Sequence, residues 1–422
     1  MADLRIAQVG CGGMGLRHLY GEVETWRVFG TFDLVALCDV NRKAAEHVAD
    51  EAEKGLGARP NVYTDFDELL ERERPDAVDI VTDARTHHTI ALKAFAAGVH
   101  VAVEKPIALT VRAGREIIAA AERAGRVLSV HENYRRDPMV RLVRAVLDAG
   151  VLGEPRLLMD VSASGTRRMP HTTAWRHLKH RGGYLLDYAV HNADLHMYFM
   201  GDVDTVYAET ALWEKVRTLD RPESDSMAEM YRHRVQEDIE RSGAVEVDSE
   251  DMAIVVMRFK SGAIGQMTKT IAAPGEGTAA DIIYCAEGSI RLPAARSGWP
   301  VLITRLGESE PLPPEAALEM VPDFQLDDQT AGLFDGRRRL ASYDLDFRQT
   351  DAKNIAIELQ DFARAILDER PPEVTGEVGL GAVALVYAIL ESGLARQPVR
   401  FDDVMYDRVN DYQRVANDHL GL

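Results

Sequence analysis

Cysteine is scarce in this sequence. Its 422 residues include Cys11, Cys38 and Cys285, and these cysteines have no regular spacing. A disulfide framework or a structural zinc site needs several cysteines in a recognisable pattern, so the sequence argues against both. The scarcity also indicates a reducing compartment, and we expect the protein to be cytoplasmic.

Long hydrophobic runs and an excess of basic residues are missing as well. No uninterrupted apolar run reaches about 18 residues, so we predict no transmembrane helix. The N-terminal stretch MADLRIAQVGCGGMG places Asp3 before a strand pattern and does not resemble a signal peptide. The net charge of −19 disfavours nucleic acid and anionic membranes as partners, because both are polyanions.

What remains is the composition of an ordinary globular protein. Hydrophobic residues make up 46% of the chain and charged residues 28%, which is enough apolar material for large cores. At about 150 residues per domain, the length predicts two or three domains. No internal repeat or low-complexity tract is visible.

The first part of the chain alternates between short apolar runs and helical patterns. The apolar runs indicate strands over 4–10, 32–40, 76–84, 99–106 and 125–133. Strands that alternate with helices are typical of a doubly wound parallel sheet. We therefore predict an α/β protein whose first domain covers residues 1–133.

The pattern changes after about residue 150, where longer strands with glycine turns predict a large, open, mostly antiparallel sheet. These strands are expected over 155–165, 203–213, 252–273 and 280–293, and helices over 354–368, 376–394 and 404–420. We interpret residues 217–250 as a polar, partly helical surface insertion and 294–350 as an extended loop. Residues 134–422 would form the second domain, for substrate binding and oligomerisation.

A glycine motif follows the first predicted strand. The stretch VGCGGMG has the spacing G-x-G-x-x-G and opens a helix, which is the context of a dinucleotide site. The first glycine makes the tight turn, the second lets a pyrophosphate approach the backbone, and the third lets the helix pack closely on the strand. We predict that Gly10, Gly12, Gly13, Met14 and Gly15 bind the cofactor, against the alternative of a glycine-rich turn without a ligand.

The second predicted strand ends in an acidic residue. Asp39 lies 24 residues after Gly15, where a carboxylate would accept hydrogen bonds from the adenosine ribose. A carboxylate there repels a 2′-phosphate, so NAD is favoured over NADP. Arg42 could hold that phosphate, but we favour its interpretation as a solvated residue in the first turn of a helix.

The stretch VAVEKPIAL places two opposite charges at the end of a buried strand. Glu104 and Lys105 follow the apolar residues, and Pro106 stops the strand because proline cannot continue the hydrogen-bond ladder. Strand ends of a doubly wound sheet face the ligand crevice, so we expect both charges to lie where cofactor and substrate meet. The alternative is a surface ion pair of little energetic value.

With GCGGMG and EKP in place, the sequence resembles the Gfo/Idh/MocA family of oxidoreductases. VTDARTHHTIALKAFAAGVHVAVEKPIAL resembles the family's stretch through its Glu-Lys-Pro motif, NYRRDPMVRLVRAVLDAGVLGEP resembles the junction after the dinucleotide domain, and GGYLLDYAVHNADLHMYFMG resembles its G-G-x-x-x-D-x-x-x-H helix. The resemblance implies a Rossmann domain, an open-sheet α/β domain and a nicotinamide-dependent dehydrogenase of a sugar, inositol or related polyol.

The residues that match the family's usual catalytic set are Lys105, Asp187 and His191. Asp187 and His191 are four residues apart on a predicted helix and share one face. His191 would take the hydroxyl proton because its pKa lies near working pH, and Lys105 would stabilise the alkoxide. Asp187 would hold a substrate hydroxyl. By spacing alone, an Asp–His pair on a helix surface is the commoner case.

Two further residues near the fourth strand are expected to contact the cofactor. His87 matches the histidine that often lines the nicotinamide pocket in the family, and Thr82 lies at the strand end before it. The family often has Pro-Asn where this chain has Asp83–Ala84. That departure leaves the conformation of the loop open.

Candidate substrate-binding residues follow the last Rossmann strand and precede the predicted catalytic helix. Tyr134 and Arg135 could reach substrate hydroxyls, while Trp175 and Arg176 suit the C–H face and the hydroxyls of a sugar. A structural role for the tryptophan is an equal alternative. The histidines of this region lack the paired spacing of metal ligands, so we predict no catalytic metal.

These observations predict an NAD-dependent dehydrogenase that oxidises a secondary hydroxyl of a sugar, glycoside or cyclitol. The first alternative is a redox-neutral enzyme with tightly bound NAD, which cleaves a glycoside or exchanges redox equivalents through a transient keto-sugar. The second is an NAD-sensing regulator without catalysis. Because an open sheet rarely leaves a wide apolar face in water, we expect a homodimer or homotetramer formed through the second sheet.

Overall fold

The computed structural model describes residues 3–169, 174–218 and 243–422. Its first sheet has six parallel strands in the order β3-β2-β1-β4-β5-β6. The strands are β1 Leu4–Val9, β2 Phe32–Cys38, β3 Asn61–Tyr63, β4 Ala77–Ile80, β5 His100–Glu104 and β6 Leu128–His131. The order reverses between β1 and β4, and this point of a doubly wound sheet is where ligands bind.

Five helices connect these strands. They are α1 Gly13–Val28, α2 Arg42–Leu56, α3 Phe66–Glu73, α4 Ala84–Ala96 and α5 Val111–Ala124. The sequence caps four of them, because Asn41, Asp65, Asp83 and Thr110 accept backbone N–H groups at the helix starts. All five predicted Rossmann strands are present, whereas the short elements β3 and α3 were not predicted.

The second sheet has eight strands in the order β15-β14-β13-β7-β12-β11-β8-β16. Its strands and a separate two-stranded pair, β9 with β10, are β7 Pro155–Ala163, β8 Val203–Ala211, β9 Val216–Thr218, β10 Ala244–Glu246, β11 Met252–Phe259, β12 Ile264–Thr270, β13 Thr278–Cys285, β14 Gly288–Arg291, β15 Leu302–Arg305 and β16 Val399–Arg400. Neighbouring strands are antiparallel except β7 and β12. The predicted fold class is therefore confirmed.

The helices of the second half are α6 Pro138–Asp148, α7 Gly183–Met200, α8 Pro314–Met320, α9 Asp328–Leu333, α10 Phe347–Leu367, α11 Gly376–Ala395, α12 Phe401–Met405 and α13 Arg414–Leu420. Short 3-10 turns span Asn133–Arg136, Ala174–His177 and Lys179–Arg181. The helical part predicted for the insertion at 217–250 lies outside the described residues.

Two predictions for this half of the chain need correction. Residues 294–350 are not an extended loop, because they contain β15, α8 and α9, whose buried Ala317 and Leu333 join the main core. The predicted helix over 404–420 is divided into α12 and α13. Asp407 lies between them with a φ of +56°, a left-handed conformation that interrupts a right-handed helix. Neither feature has a clear hydrophobic period.

One face of the first sheet is covered by a helix from the far end of the chain. Ile6, Phe32 and Ala102 pack in one buried cluster with Ile355 and Phe362 of α10. The contact between α1 and α10 is close, because a Cβ added to Gly21 would lie 2.4 Å from Cγ2 of Ile355. Residues 347–367 are therefore part of the dinucleotide-binding half in space, although not in sequence.

Helix α11 has the length and apolar composition of a membrane span, with a hydropathy of 1.8 and 78% of its window buried inside the protein. It packs between α7, α5 and β8, and its Tyr387 hydroxyl donates a hydrogen bond to the Leu109 carbonyl at 2.6 Å. This burial accounts for its apolar side chains, as in the core helices of globular proteins.

The second sheet is covered by helices on one face. Val206, Val255 and Met267 point to that side and are buried. The opposite face exposes large apolar side chains, namely Tyr207, Ile254, Val256, Ile264 and Tyr284. We call these five residues the open sheet face.

Candidate active site

A cavity of about 640 Å³ lies at the carboxyl edge of the first sheet, between the first sheet and the segment before α7. Many of the predicted site residues line it. They are Gly10, Gly12, Gly13, Met14, Asp39, Thr82, Glu104, Lys105, Trp175, Arg176, Asp187 and His191. Gly15, Arg42, His87, Tyr134 and Arg135 are not among the lining residues.

The glycine loop has the geometry that a pyrophosphate requires. Gly10 has a φ of +105°, and a Cβ there would lie 2.6 Å from the carbonyl oxygen of Val81. A Cβ on Gly15 would lie 2.2 Å from the carbonyl oxygen of Gly10, so this glycine permits the contact between helix and loop. Helix α1 begins at the cavity with no acidic residue in its first turn, which suits an anion at its free N–H groups.

Asp39 is held at the end of β2. Its Oδ2 accepts a hydrogen bond from the Cys11 backbone N–H at 2.7 Å, and its Oδ1 accepts one from the Asn41 N–H at 2.8 Å. These two hydrogen bonds hold the Asp39 carboxylate in place, and its oxygens can still accept hydrogen bonds from ribose hydroxyls. Arg42 is 63% exposed in its side chain and pairs with Glu46 at 3.3 Å, so it is a solvated first-turn residue, as favoured above.

The loop after β4 is ordered by two residues. Asp83, where the family's usual pattern is absent, caps α4 and pairs with the Arg85 guanidinium at 3.0 Å. His87 is buried, with ring nitrogens 3.0 Å from the Pro106 carbonyl oxygen and 3.1 Å from the Thr82 carbonyl oxygen. His87 therefore holds the loops after β4 and β5 together, whereas Thr82 lines the cavity itself.

Lys105 and Asp187 meet at the cavity. The Lys105 Nζ donates to the Asp187 carbonyl oxygen at 3.0 Å and lies 3.3 Å from its Oδ1. The Arg176 Nε lies 3.0 Å from the Asp187 Oδ2. Burial lowers the pKa of Lys105, but the carboxylates of Asp187 and Glu104 outweigh it and raise that pKa above its usual value. Lys105 is therefore a firmly protonated donor.

His191 lies one turn after Asp187 on α7 and contacts a residue that sequence reasoning missed. Its Nδ1 bonds to Oε1 of Glu132, which follows β6 directly. Burial raises the pKa of Glu132 to about 8, and burial together with the charges of Lys105 and Arg296 lowers the pKa of His191. The two groups share one proton near neutral pH and titrate as a pair. Glu132 directly follows β6, and Glu104 ends β5. This position at a strand end is the sequence feature that could have identified Glu132 as a site residue.

Tyr134 and Arg135 have different surroundings. The Tyr134 ring stacks on the His191 ring with centroids 4.0 Å apart and an interplanar angle of 1°. Arg135 turns away from the cavity, is buried, and forms a two-pronged ion pair with Asp194 of α7. The expectation that Arg135 reaches substrate is therefore corrected, because its guanidinium is already engaged inside the core.

A second residue that sequence reasoning missed is Arg296, from the segment interpreted as a loop. It lines the cavity, and its guanidinium lies 4.9 Å from the Tyr134 ring centroid. Its Nη1 bonds to Oδ1 of Asp351 at 2.6 Å, and Arg17 of α1 binds the same carboxylate through Nε at 2.7 Å. No periodicity in the sequence singles out residue 296.

Behind Glu104 lies a buried network of charged groups. His18 bridges Asp79 and Glu104, with Nδ1 2.7 Å from the Asp79 Oδ2 and Nε2 3.2 Å from the Glu104 Oε1. His131 adds a contact of 2.9 Å to the Asp79 Oδ1. Burial lowers the pKa of His131, yet Asp79 outweighs it and raises that pKa to about 9. The side chains of His18, Asp79 and His131 lie close enough together to bind a metal ion. The two histidines are instead the hydrogen-bond and charge partners of the Asp79 carboxylate.

Comparison with known proteins agrees with these features. Residues 4–132 match a family described as an oxidoreductase family with an NAD-binding Rossmann fold, and residues 140–291 match the GFO/IDH/MocA C-terminal domain. The chain belongs to the Gfo/Idh/MocA oxidoreductase family. The predicted family and the predicted NAD cofactor are confirmed, and the glycine loop and Asp39 form a cradle that fits NAD.

Relatives within the Gfo/Idh/MocA family differ in how much of the chain they match. The myo-inositol 2-dehydrogenase of Thermotoga maritima is 25% identical over 95% of this chain and 100% of its own length. The D-apiose dehydrogenase of Paraburkholderia graminis is 31% identical over 49% of this chain and 52% of its own length. The crystal structure of an NAD binding oxidoreductase from Klebsiella pneumoniae has a TM-score of 0.74 at 23% identity, with 95% of this chain and 99% of that chain covered.

Proposed function

We propose that the protein is an NAD-dependent dehydrogenase that oxidises a secondary hydroxyl of a sugar, glycoside or cyclitol. The observation that carries this proposal is the meeting of Lys105, Asp187 and His191 at one cavity with the glycine loop. The names of the relatives, a myo-inositol 2-dehydrogenase and a D-apiose dehydrogenase, support this substrate class.

Bound NAD supplies the acceptor for a hydride from the hydroxyl-bearing carbon. Gly10, Gly12, Gly13 and Met14 would hold its pyrophosphate, and Asp39 its adenosine ribose. The chain's own residues handle the proton and the charge on oxygen. Glu104 and Thr82 would line the nicotinamide end of the cavity, with Glu104 fixed from behind by His18.

His191 acts as the base in this mechanism. Its Nδ1 is engaged with Glu132, so Nε2 is the nitrogen that accepts the hydroxyl proton. The Glu132 carboxylate then stabilises the imidazolium, as an acid paired with a catalytic histidine does. Tyr134, stacked on the ring, keeps the imidazole plane fixed.

Lys105 stabilises the alkoxide that forms when the proton leaves. Its ammonium is held by Asp187, so its charge is present before the reaction and needs no reorganisation. Asp187 also accepts a hydrogen bond from a neighbouring substrate hydroxyl. Trp175 and Arg176 would contact the ring and hydroxyls of the sugar from the cavity wall.

The finer features of cell location and assembly are part of the same proposal. We propose a cytoplasmic homodimer or homotetramer, formed through the open sheet face. Residues 1–133 would bind the cofactor, and 134–422 would bind the substrate and the second copy.

The test is to incubate the purified protein with NAD and a panel of sugars, glycosides and cyclitols and to measure NADH. We expect NADH in proportion to substrate, and a fall in kcat of about 10²- to 10⁴-fold in His191→Asn and Lys105→Ala with NAD affinity retained. Lys260→Ala, which replaces an exposed lysine of the second half, is the matched control. Product formation without net NADH would indicate the redox-neutral alternative, and NAD binding without any turnover would indicate the sensor.

A further inference from the structure

Glu104 places a carboxylate on the wall of the cavity. It is the last residue of β5, it is 6% exposed, and it lines the cavity next to Lys105. Its Oε1 lies 3.2 Å from the Nε2 of His18, whereas no hydrogen bond from the described residues reaches its Oε2. One oxygen of Glu104 is therefore held from behind, and the other remains available to a ligand in the cavity.

The Glu104 carboxylate is ionised. Burial raises its pKa, but His18, Lys105 and His131 outweigh burial and lower that pKa to about 2. His18 is fully buried and lies behind the cavity wall, with its Nδ1 2.7 Å from Oδ2 of Asp79. The charge of His18 is thus shared between two carboxylates, and the negative end of this chain of charges faces the cavity.

The other carboxylates that line the cavity are engaged in different ways. Asp39 accepts two backbone N–H groups at the end of β2. Asp83 caps α4 and pairs with an arginine, and Asp187 lies between two cations at 3.3 Å and 3.0 Å. Glu104 differs from these three because its hydrogen-bond partner lies behind the cavity wall, so its charge is directed into the cavity.

The order of the strands places Glu104 and Asp39 at opposite ends of the cavity. β2, which ends before Asp39, lies on one side of β1 and its glycine loop, whereas β4 and β5 follow on the other side. A dinucleotide with its adenosine at Asp39 and its pyrophosphate at the glycine loop therefore extends its nicotinamide towards the ends of β4 and β5. Glu104 ends β5 and would face that ring.

The two redox states of the cofactor differ in charge at the nicotinamide ring, which is positive in NAD⁺ and neutral in NADH. An ionised carboxylate in a buried site attracts a positive ring more strongly than it would in water. Lys105 and Arg176 face the same cavity and oppose this attraction, although both contact Asp187. The contribution of Glu104 lowers the free energy of the NAD⁺ complex relative to that of the NADH complex.

We infer that Glu104 is a specificity-determining residue that shifts the cofactor site towards the oxidised form, NAD⁺. The inference rests on the proposed dehydrogenase function and adds a direction to it. A site that favours NAD⁺ binds the oxidised cofactor before the reaction and releases NADH after hydride transfer. This preference serves the net oxidation of an alcohol by an exchangeable cofactor, and it gives no benefit to an enzyme that keeps its cofactor bound throughout.

The test measures the dissociation constants of NAD⁺, NADH and ADP-ribose by calorimetric titration in the absence of substrate. We expect wild-type protein to bind NAD⁺ at least as tightly as NADH, and this result needs no variant. In Glu104→Gln the ratio of the NADH constant to the NAD⁺ constant should fall about 5- to 50-fold, while the constant for ADP-ribose, which lacks the ring, should change less than about twofold. A tenfold fall corresponds to a rise of about 30 mV in the potential of the bound couple.

Two further variants separate the charge of Glu104 from its packing. Glu104→Asp keeps the carboxylate and should retain more of the wild-type ratio than Glu104→Gln does. Glu122→Gln makes the same chemical change at an exposed glutamate of α5 and is the matched control, so its ratio should equal that of the wild type. Melting temperatures of the three variants, measured separately, show whether each one is folded.

The outcomes separate this inference from the proposed function. An unchanged ratio in Glu104→Gln overturns the inference, because the loss of a hydrogen bond to a group that both cofactor forms share weakens both complexes alike. An equal fall in Glu104→Asp and Glu104→Gln, or tighter binding of NADH than of NAD⁺ by the wild type, overturns it too. Each of these results leaves the dehydrogenase standing. A preference for NAD⁺ that is lost in Glu104→Gln, with no NADH from any sugar, glycoside or cyclitol, supports the inference and overturns the dehydrogenase.

Discussion

At the scale of single residues, the proposed mechanism depends on a pair that shares a proton. Glu132 and His191 come from different elements, the end of β6 and the second turn of α7, and bond directly inside a buried pocket. Burial disfavours charge on both groups, which raises the pKa of Glu132 to about 8 and lowers that of His191. The base form of the dyad is the one that has lost this shared proton.

The dyad predicts the pH dependence of turnover. The rate should rise with pH as the proton leaves the pair, reach half its maximum near pH 8 and become constant about one to two units above that, because the deprotonated dyad is the active form. In Glu132→Gln no carboxylate titrates at this position, and burial already lowers the pKa of His191, so the rise near pH 8 should disappear while kcat falls about 10- to 100-fold. Initial rates from about pH 5 to about pH 10 measure both effects.

The exposed Glu53→Gln of α2 is the control for this experiment and should keep the wild-type profile. An unchanged rise in Glu132→Gln would assign the titration to another group.

Residue by residue, the sequence predicted the parts of the site that local motifs encode. Lys105 follows a strand and precedes a proline, and Asp187 and His191 have helix spacing, so each can be identified from its neighbours in the chain. Glu132 and Arg296 have roles that depend on tertiary contacts with α7 and α10. Arg135 was misassigned for the same reason, because its partner Asp194 is distant in sequence.

At the scale of elements, the glycine loop determines how closely α1 can approach β1. The Cβ that Gly15 lacks would meet a backbone oxygen at 2.2 Å, and backbone atoms cannot move aside as a side chain can. We expect Gly15→Ala to destabilise the protein by about 1–3 kcal/mol and to weaken NAD binding, because the helix start that faces the phosphates must shift. Thermal unfolding and calorimetric titration with NAD measure these two effects.

Gly243→Ala is the matched control, since no atom of the described residues lies within 4 Å of a Cβ at that glycine. We expect it to change stability by less than about 0.5 kcal/mol. Equal effects of the two substitutions would show that steric overlap at the loop is not what makes Gly15 necessary.

Elements with a strong period were predictable from the sequence, and short ones were not. The long strand β11 alternates buried and exposed residues, and helix α11 is long and apolar over almost its whole length. Strand β3 has three residues and α9 has six, too few to display a period, and their stability comes from packing. Helices α12 and α13 are separated at Asp407, which has a positive φ. An aspartate side chain alone does not predict this backbone conformation.

At the scale of the whole molecule, the open sheet face predicts self-association. Ile254 and Val256 are each 50% exposed on β11, next to Tyr207 of β8. A second copy of the protein could bury this face, because large contiguous apolar surfaces usually form interfaces. We expect wild-type protein at micromolar concentration to sediment as a dimer or tetramer, and Val256→Glu to sediment as a smaller species.

Val415→Glu serves as the control, because Val415 has a similar exposure of 53% but lies on α13. This variant should keep the wild-type assembly. Wild-type protein that sediments as a monomer would refute the proposed interface.

The placement of α10 on the first sheet has a consequence for synthesis on the ribosome. Until residues 347–367 have left the exit tunnel, Ile6, Phe32 and Ala102 have no cover on that side. Asp351, the shared counter-ion of Arg17, arrives with the same helix. The cofactor-binding half therefore stays without this cover during synthesis until α10 has emerged, and only then can its core be completed.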